Sequence, residues 1–249
     1  IYVLELDLAS LASVRRFKKD YCKGGYPPLY GIVCNAGVHQ HGRLKYTKDG
    51  FEEAFGVNHL GHFLLVNLLL ENMENDGRVV FVTSDTHDSD KIQFHDAKRL
   101  AYPEKYGCVQ DGYPVSKLCN ILCTYEMARR LKQQGKNHIT VNAFNPGFMP
   151  DTGLPKALPP VLNILIPALI SVFATCIGTY SNSRKSGKAL AEMMVGKTFE
   201  NKTGIYNDRG KIKESSRASH DKNAAIRLWV ESAEMAGLKN EETICGIKS

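Results

Sequence analysis

Short apolar runs alternate with longer amphipathic stretches along the whole chain. The runs predict buried strands over residues 1–8, 29–34, 78–84, 138–144 and 204–208. The stretches between them predict helices over residues 10–22, 50–74, 114–134, 183–196 and 221–237. Ser10 is placed to cap the first helix, and Gly135 and Gly237 follow the ends of two others. The alternation predicts an α/β fold with a doubly wound parallel sheet.

The composition fits one globular domain that spans residues 1–249. The chain is 43% hydrophobic and 23% charged, and no repeat or linker divides it. The formal charge is +6, but no stripe of Lys and Arg interleaved with aromatics occurs, so no nucleic-acid partner is expected. The seven cysteines are odd in number and form no CxxC pair, which predicts reduced thiols, an intracellular, cytoplasmic protein and no metal site.

Tyr113 and Lys117 form the pair with the clearest chemical meaning. Their spacing of four places both side chains on one face of the predicted helix, about one turn apart. A cation beside a phenol favours the phenolate, so such a tyrosine can exchange a proton near neutral pH. The pair therefore suits an enzyme that protonates or deprotonates an alcohol oxygen.

Polar residues and turns fall at the carboxyl ends of four of the predicted strands. They are Asp7, Asn35-Ala36-Gly37, Ser84 and Pro146-Gly147. In doubly wound sheets ligands bind beyond the carboxyl ends of the strands. These residues and the start of the Tyr113 helix are therefore expected to line one edge of the sheet.

The ordered set of motifs resembles the short-chain dehydrogenase/reductase family over nearly the whole chain. The matching elements are Asp7-Leu8, Cys34-Asn35-Ala36-Gly37, Asn58, Ser84, the Tyr113/Lys117 pair and Asn145-Pro146-Gly147. The chain departs from the family pattern at Cys34, where the first of two asparagines is usual. It also carries no Gly-rich dinucleotide turn before Asp7. Because the chain starts at Ile1 inside a strand-like run, we interpret it as a domain whose N-terminal strand, Gly-rich turn and helix are absent.

The resemblance implies a catalytic role for four residues. Tyr113 would act as the acid in carbonyl reduction and as the base in alcohol oxidation. Lys117 would lower the pKa of Tyr113 and hold the nicotinamide ribose. Ser84 would hydrogen-bond the substrate oxygen, and Asn58 would hold a water of the proton relay.

The resemblance also implies a binding site for a nicotinamide cofactor. Asp7, with Leu8, would meet the adenine, and the turn of Asn35, Ala36 and Gly37 would pass under the adenosine. Pro146, Gly147 and Thr152 would flank the nicotinamide, and Tyr113 and Lys117 would also lie against the cofactor. NADP is the favoured cofactor, because the two branches of the family that this chain resembles mostly use it. NAD stays the alternative, because the residue that separates the two cofactors usually lies before Asp7.

Two branches of the family share local motifs with this chain. Residues 57–65 and 116–122 resemble retinol-dehydrogenase-like members, whereas residues 146–154 and 228–234 resemble light-dependent protochlorophyllide reductase. The favoured function is hydride transfer between nicotinamide and a small apolar carbonyl or alcohol substrate. Two alternatives stay open: light-dependent reduction of a double bond, and an inactive member that binds nucleotide or acts as a scaffold.

Residues 158–178 form a long apolar run that three prolines interrupt. The run lies within residues 148–182, where the family places its substrate lid, so an apolar lid and an apolar substrate are expected. Peripheral contact of this run with a membrane is the alternative. Homo-oligomers are common in the family, and nothing in the sequence fixes that state here.

Overall fold

The computed structural model describes residues 1–39, 44–88, 92–106, 112–149 and 181–247, and the strands among them form one sheet. The strands are β1 Leu29–Cys34, β2 Met73–Val82, β3 Thr140–Asn145, β4 Tyr206–Asp208 and β5 Lys211–Lys213. They lie in chain order, with β1 to β4 parallel and β5 antiparallel to β4. The predicted parallel α/β fold is therefore confirmed.

Helices occupy most of the stretches where the sequence predicts them. They are α1 Leu11–Lys23, α2 His62–Leu69, α5 Gly112–Gln133, α6 Ser183–Val195 and α7 Lys222–Met235. Two short helices, α3 Ala97–Ala101 and α4 Pro103–Tyr106, lie where no helix is predicted. The Ser10 hydroxyl accepts from the Ser13 N–H and caps α1, as predicted. Gly135 and Gly237 both have positive φ just beyond α5 and α7.

Both faces of the sheet are covered, because successive residues of a strand point to opposite sides. Val79 and Phe81 of β2 pack into the core that α1, α2, α5 and α7 form. Val80 and Val82 face the other way, into a smaller core with Met193 of α6. The doubly wound arrangement follows from this alternation. The helices cover the two faces of the sheet, so the ends of the strands form its open edge.

The strand predicted over residues 1–8 is wrong. No described strand pairs with this run, and Ile1, Tyr2 and Val3 are exposed. The apolar pattern is present, but a strand also needs a neighbour for its backbone hydrogen bonds.

The elements differ from the predictions most clearly at residues 50–74, at the end of β2 and at β5. The region 50–74 holds a π-helix Phe55–Gly61, then α2 and a 3-10 turn Leu70–Asn72, and its last two residues belong to β2. β2 ends at Val82, so Thr83 and Ser84 lie beyond the strand. β5 was not predicted, because three exposed residues carry no burial signal.

No helix in the described part of the chain is long and apolar enough to cross a bilayer. The apolar run 158–178 and most of the predicted lid lie outside the described residues.

Gly61 allows the segment of Asp7 and Leu8 to pass against the π-helix. A β-carbon at Gly61 would lie 2.6 Å from the Leu8 carbonyl oxygen and 3.1 Å from the Leu8 Cβ. We expect Gly61→Ala to lower the free energy of unfolding by about 1–3 kcal/mol, since backbone must move to admit the methyl group. Urea denaturation of the full-length protein measures this.

Gly187→Ala is the matched control for Gly61→Ala. Gly187 is exposed in α6 and has open space where a β-carbon would lie. Its replacement should raise the free energy of unfolding by about 0.5–1 kcal/mol, because alanine is the better helix former. Equal stability of Gly61→Ala and the wild type would contradict the close approach of Leu8.

Candidate active site

Lys117 lies at the carboxyl end of β2. Its Nζ donates to the Val82 carbonyl oxygen at 3.0 Å, and the Thr83 hydroxyl donates to the Lys117 carbonyl oxygen at 3.0 Å. The side chain is 3% exposed. The two bonds fix the first turns of α5 against the end of the strand.

Burial sets the protonation behaviour of Lys117. Removal of the ammonium from water lowers its pKa from the usual 10.5 to about 8. The group therefore still carries its charge at neutral pH, but it holds its proton less firmly than an exposed lysine does.

Tyr113 lies one turn before Lys117 on the same side of α5. The Lys117 Nζ is 5.5 Å from the centroid of the tyrosine ring. The ring also stacks on His39, with centroids 4.3 Å apart. The structure thus brings the predicted pair together and adds a histidine that the sequence analysis did not identify.

Asn58 lies in the middle of the π-helix and is fully buried. Its Oδ1 accepts from the Val38 N–H at 2.7 Å, and its Nδ2 donates to the Val38 carbonyl oxygen at 2.9 Å and to the Ser116 hydroxyl at 3.0 Å. Ser116 in turn donates to the Tyr113 carbonyl oxygen at 2.7 Å. Asn58 therefore joins the segment after β1 to the start of α5, and its role toward a water stays a prediction.

The π-helical geometry around Asn58 frees its carbonyl oxygen for side chains. That oxygen lies 3.1 Å from His62 Nδ1 and accepts from Asn120 Nδ2 at 3.0 Å. π-Helical turns often occur at functional sites. Here the turn binds the Asn58 backbone to α5 as firmly as the side chain does.

The turn of Asn35, Ala36 and Gly37 is exposed directly above this cluster. A β-carbon at Gly37 would lie 3.2 Å from the Asn58 Oδ1 and 3.4 Å from the Lys117 Nζ. The absence of a side chain lets the turn approach both groups, so the predicted cofactor turn and the predicted catalytic pair are neighbours.

Ser84 follows the end of β2 and is partly buried. Its hydroxyl accepts from the Thr86 N–H at 3.3 Å and begins the 3-10 turn Asp85–His87. The residue before it, Thr83, is bound to Lys117, which keeps Ser84 next to α5. His87 Nδ1 lies 2.5 Å from the Ser84 carbonyl oxygen, a contact that the sequence analysis missed.

Asp7, the predicted adenine contact, has a half-exposed carboxylate. Lys48 donates to its Oδ2 at 2.8 Å and the Ala9 N–H donates to its Oδ1 at 2.9 Å. These bonds hold the pKa of Asp7 below its usual value, with the Lys48 bond as the largest cause. Leu8 is buried and packs into the core.

The turn after β3 forms the far side of the edge. The Gly147 N–H donates to the Asn145 Oδ1 at 3.0 Å, and the Pro146 carbonyl oxygen accepts from the Ser186 hydroxyl at 2.7 Å. Asn145 also donates to the Asp208 carboxylate at the end of β4. Thr152, the remaining predicted cofactor residue, lies outside the described residues.

Comparison with known proteins gives similar sequences over most of the chain. The profile "short chain dehydrogenase" matches residues 1–94. Polyprenol dehydrogenase of Danio rerio is 35% identical over 241 residues, which are 94% of this chain and 70% of that protein. Human retinol dehydrogenase 14 is 36% identical, over 96% of this chain and 67% of that protein. Protochlorophyllide reductase A of Oryza sativa subsp. japonica is 32% identical, over 95% of this chain and 67% of that protein.

Solved structures show the same fold. An uncharacterized protein from Mycobacterium paratuberculosis matches with a TM-score of 0.63 and 27% identity, covering 94% of this chain and 75% of that chain. The angucycline C-6 ketoreductase LanV with bound NADP matches with a TM-score of 0.61 and 21% identity, covering 84% of this chain and 74% of that chain. The second similarity is evidence for the fold alone.

Proposed function

This chain belongs to the short-chain dehydrogenase/reductase family, and we propose that it is an NADP-dependent oxidoreductase of a small apolar alcohol or carbonyl compound. The similarities above establish that the chain is a member of this family, with retinol-dehydrogenase-like and protochlorophyllide-reductase-like relatives. A member of this family is expected to be a nicotinamide-dependent oxidoreductase. The substrate class and the choice of NADP are proposals.

One observation carries the proposal: a buried ammonium and a phenol meet at the open edge of the sheet. Lys117 lies 5.5 Å from the ring of Tyr113 and directly below the turn that ends at Gly37. A lysine buried to this degree is rare unless its ammonium has a partner, and here the Val82 carbonyl oxygen holds it in place. Its position supports a role in proton exchange at the Tyr113 hydroxyl.

The residues at this edge fit a nicotinamide dinucleotide. The exposed turn 35–37 offers backbone without a side chain at Gly37, close to Lys117, which leaves room for a flat or sugar-like group. Asp7 presents a carboxylate that can accept hydrogen bonds, and Lys117 presents a cation that can donate to ribose hydroxyls. The bound cofactor would supply or accept the hydride. NADP rather than NAD rests on the resemblance to the two branches.

The chain's own residues would manage the proton of the reaction. In the direction of reduction, Tyr113 donates its hydroxyl proton to the oxygen of the substrate, while the Ser84 hydroxyl donates a hydrogen bond to the same oxygen. The positive charge of Lys117 stabilises the phenolate that remains. In oxidation the same groups act in reverse.

An apolar substrate is supported by the chain and by its relatives. Residues 158–178, in the region of the proposed lid, are almost entirely apolar. Relatives of similar sequence are named polyprenol dehydrogenase and retinol dehydrogenase. We therefore place a hydrophobic alcohol, or the corresponding carbonyl compound, at the site.

Turnover of the full-length protein with NADPH and a panel of apolar aldehydes and ketones tests the proposal. Oxidation of the cofactor in the dark, followed by its absorbance, is the expected result. Binding of NADPH without turnover of any carbonyl or, in the reverse direction, any alcohol would support an inactive, nucleotide-binding protein instead.

Light-dependent reduction of a double bond is the second candidate. It is supported by the 32% identity to protochlorophyllide reductase over 95% of this chain. Turnover of protochlorophyllide that requires illumination, with no dark turnover of carbonyl compounds, would favour this candidate over the first.

A further inference from the structure

His87 is a buried histidine next to Ser84 to which the proposed function gives no task. It is 1% exposed and ends the 3-10 turn that Ser84 begins. Its Nδ1 lies 2.5 Å from the Ser84 carbonyl oxygen, and its Nε2 lies 3.2 Å from the Ser216 backbone nitrogen. The imidazole thus bridges two segments that are 132 residues apart in the chain, counted from Ser84 to Ser216.

The two partners of His87 fix its tautomer. A carbonyl oxygen can only accept, so Nδ1 must carry the hydrogen. A backbone N–H can only donate, so Nε2 must be unprotonated. Burial lowers the pKa of His87, which agrees with a neutral ring. A single neutral tautomer satisfies both contacts.

The bridge holds the backbone of Ser84 at its carbonyl oxygen. Its carbonyl oxygen accepts from the backbone N–H of His87 at 3.4 Å as well as from the ring. The ring of Tyr206 packs edge-on against the imidazole, with centroids 5.3 Å apart. The Ser84 hydroxyl itself accepts from the Thr86 N–H at 3.3 Å and donates to the Asp85 Oδ1 at 3.4 Å. His87 therefore holds the backbone of the turn from which this hydroxyl projects.

The other end of the bridge is the wall of a cavity. Ser216 lines a cavity of about 650 Å³, together with Ile92, Phe94 and Ala218. The Ser216 side chain is buried and its hydroxyl has no hydrogen-bond partner. The segment that His87 holds is therefore part of the wall of this cavity.

We propose that His87 is a positioning residue that orients Ser84 for the substrate oxygen and ties Ser84 to the cavity wall at Ser216. This role rests on the proposed function of Ser84. It acts through the Nδ1–H donor to the Ser84 carbonyl oxygen, and the Nε2 contact keeps the ring in the tautomer that has this donor.

Three substitutions separate the two contacts of His87. His87→Asn places an amide N–H near the position of Nδ1, and His87→Gln places an amide oxygen near the position of Nε2. His87→Phe keeps the ring against Tyr206 and removes both polar contacts. Loss of one hydrogen bond of about 1–2 kcal/mol corresponds to about a tenfold effect when it acts on the reaction barrier.

The test measures kcat, the KM for NADPH and the thermal midpoint of each full-length variant. We expect kcat to fall by about tenfold or more in His87→Phe and His87→Gln, with the KM for NADPH unchanged, and to recover to within about threefold in His87→Asn. Nitrogen-15 spectra of histidine in the wild type should show the neutral tautomer with the hydrogen on Nδ1.

Each outcome that contradicts these expected results has its own interpretation. Wild-type turnover with an unchanged kcat in His87→Phe overturns the positioning role alone. Equal losses of kcat in all three variants, in proportion to the fall in their thermal midpoints, also overturn the positioning role, since they show a structural role. A wild type with no dark turnover overturns the proposed function and this role with it, and a hydrogen on Nε2 overturns the bridge whatever the activity.

Discussion

Replacing Tyr113 by Phe is expected to lower kcat by about 10²- to 10⁴-fold, the range typical for loss of a general acid or base. The phenyl ring can keep its stacking on His39 and its place 5.5 Å from the Lys117 ammonium. Only the hydroxyl that would transfer the proton is lost. Steady-state kinetics with NADPH and the best substrate of the carbonyl panel measure the effect, and cofactor titration should give an unchanged Kd.

Tyr125→Phe is the matched control, because Tyr125 lies on the same helix twelve residues later, about 18 Å along its axis. Its hydroxyl is hydrogen-bonded to the Ser215 hydroxyl, so the substitution also removes one hydrogen bond. We expect this variant to lose up to about 1.5 kcal/mol of stability with its kcat unchanged. A Tyr113→Phe enzyme with kcat within threefold of the wild type would remove Tyr113 from the reaction.

Replacing Lys117 by Met is expected to abolish most turnover and, at the same time, to stabilise the fold. The buried ammonium is held at an energetic disadvantage, as its pKa of about 8 shows. Methionine has a similar length and needs no water, although the Val82 carbonyl oxygen loses its donor. We expect kcat to fall by about 10²-fold or more. We expect the free energy of unfolding at pH 7 to rise by about 2 kcal/mol.

The pH dependence of stability identifies the source of this gain. The native state keeps the Lys117 proton only up to about pH 8, whereas the unfolded chain keeps it up to about its usual 10.5. Between these values the unfolded state binds more protons, so the stability of the wild type rises with pH there. Lys117→Met should lack this rise, and Lys132→Met, at an exposed position of the same helix, should keep it. A Lys117→Met protein less stable than the wild type at pH 7 would contradict the cost of the buried charge.

Local signals account for what could be predicted of the fold. Ser10 marks the start of α1 because its hydroxyl can accept from a free N–H group of the first turn. Gly135 marks the end of α5 because it adopts positive φ easily. Both signals act within a few residues. The predicted strand over residues 1–8 is wrong because strand formation does not depend on local signals alone: it also needs a neighbouring strand, which can be distant in the chain.

The candidate site was predicted as a set of residues but not as a set of contacts. The four-residue spacing of Tyr113 and Lys117 determines their common face on α5. Nothing in the sequence near Asn58 indicates a π-helix, and the bond that its carbonyl oxygen accepts from Asn120 comes from 62 residues away. His87 was missed for the same reason, since one of its two partners is in the segment at Ser216.

The paired bonds between Lys117 and the end of β2 have a consequence for how relatives of this chain diversify. They join Val82 and Thr83 to α5 and so close the base of the whole stretch from Ser84 to Gly112. The entropy of closing such a stretch grows only with the logarithm of its length, about 0.6 kcal/mol for each doubling. Evolution can therefore lengthen or reshape it at little loss of stability, while the proposed proton-transfer residues Tyr113 and Lys117 stay in place.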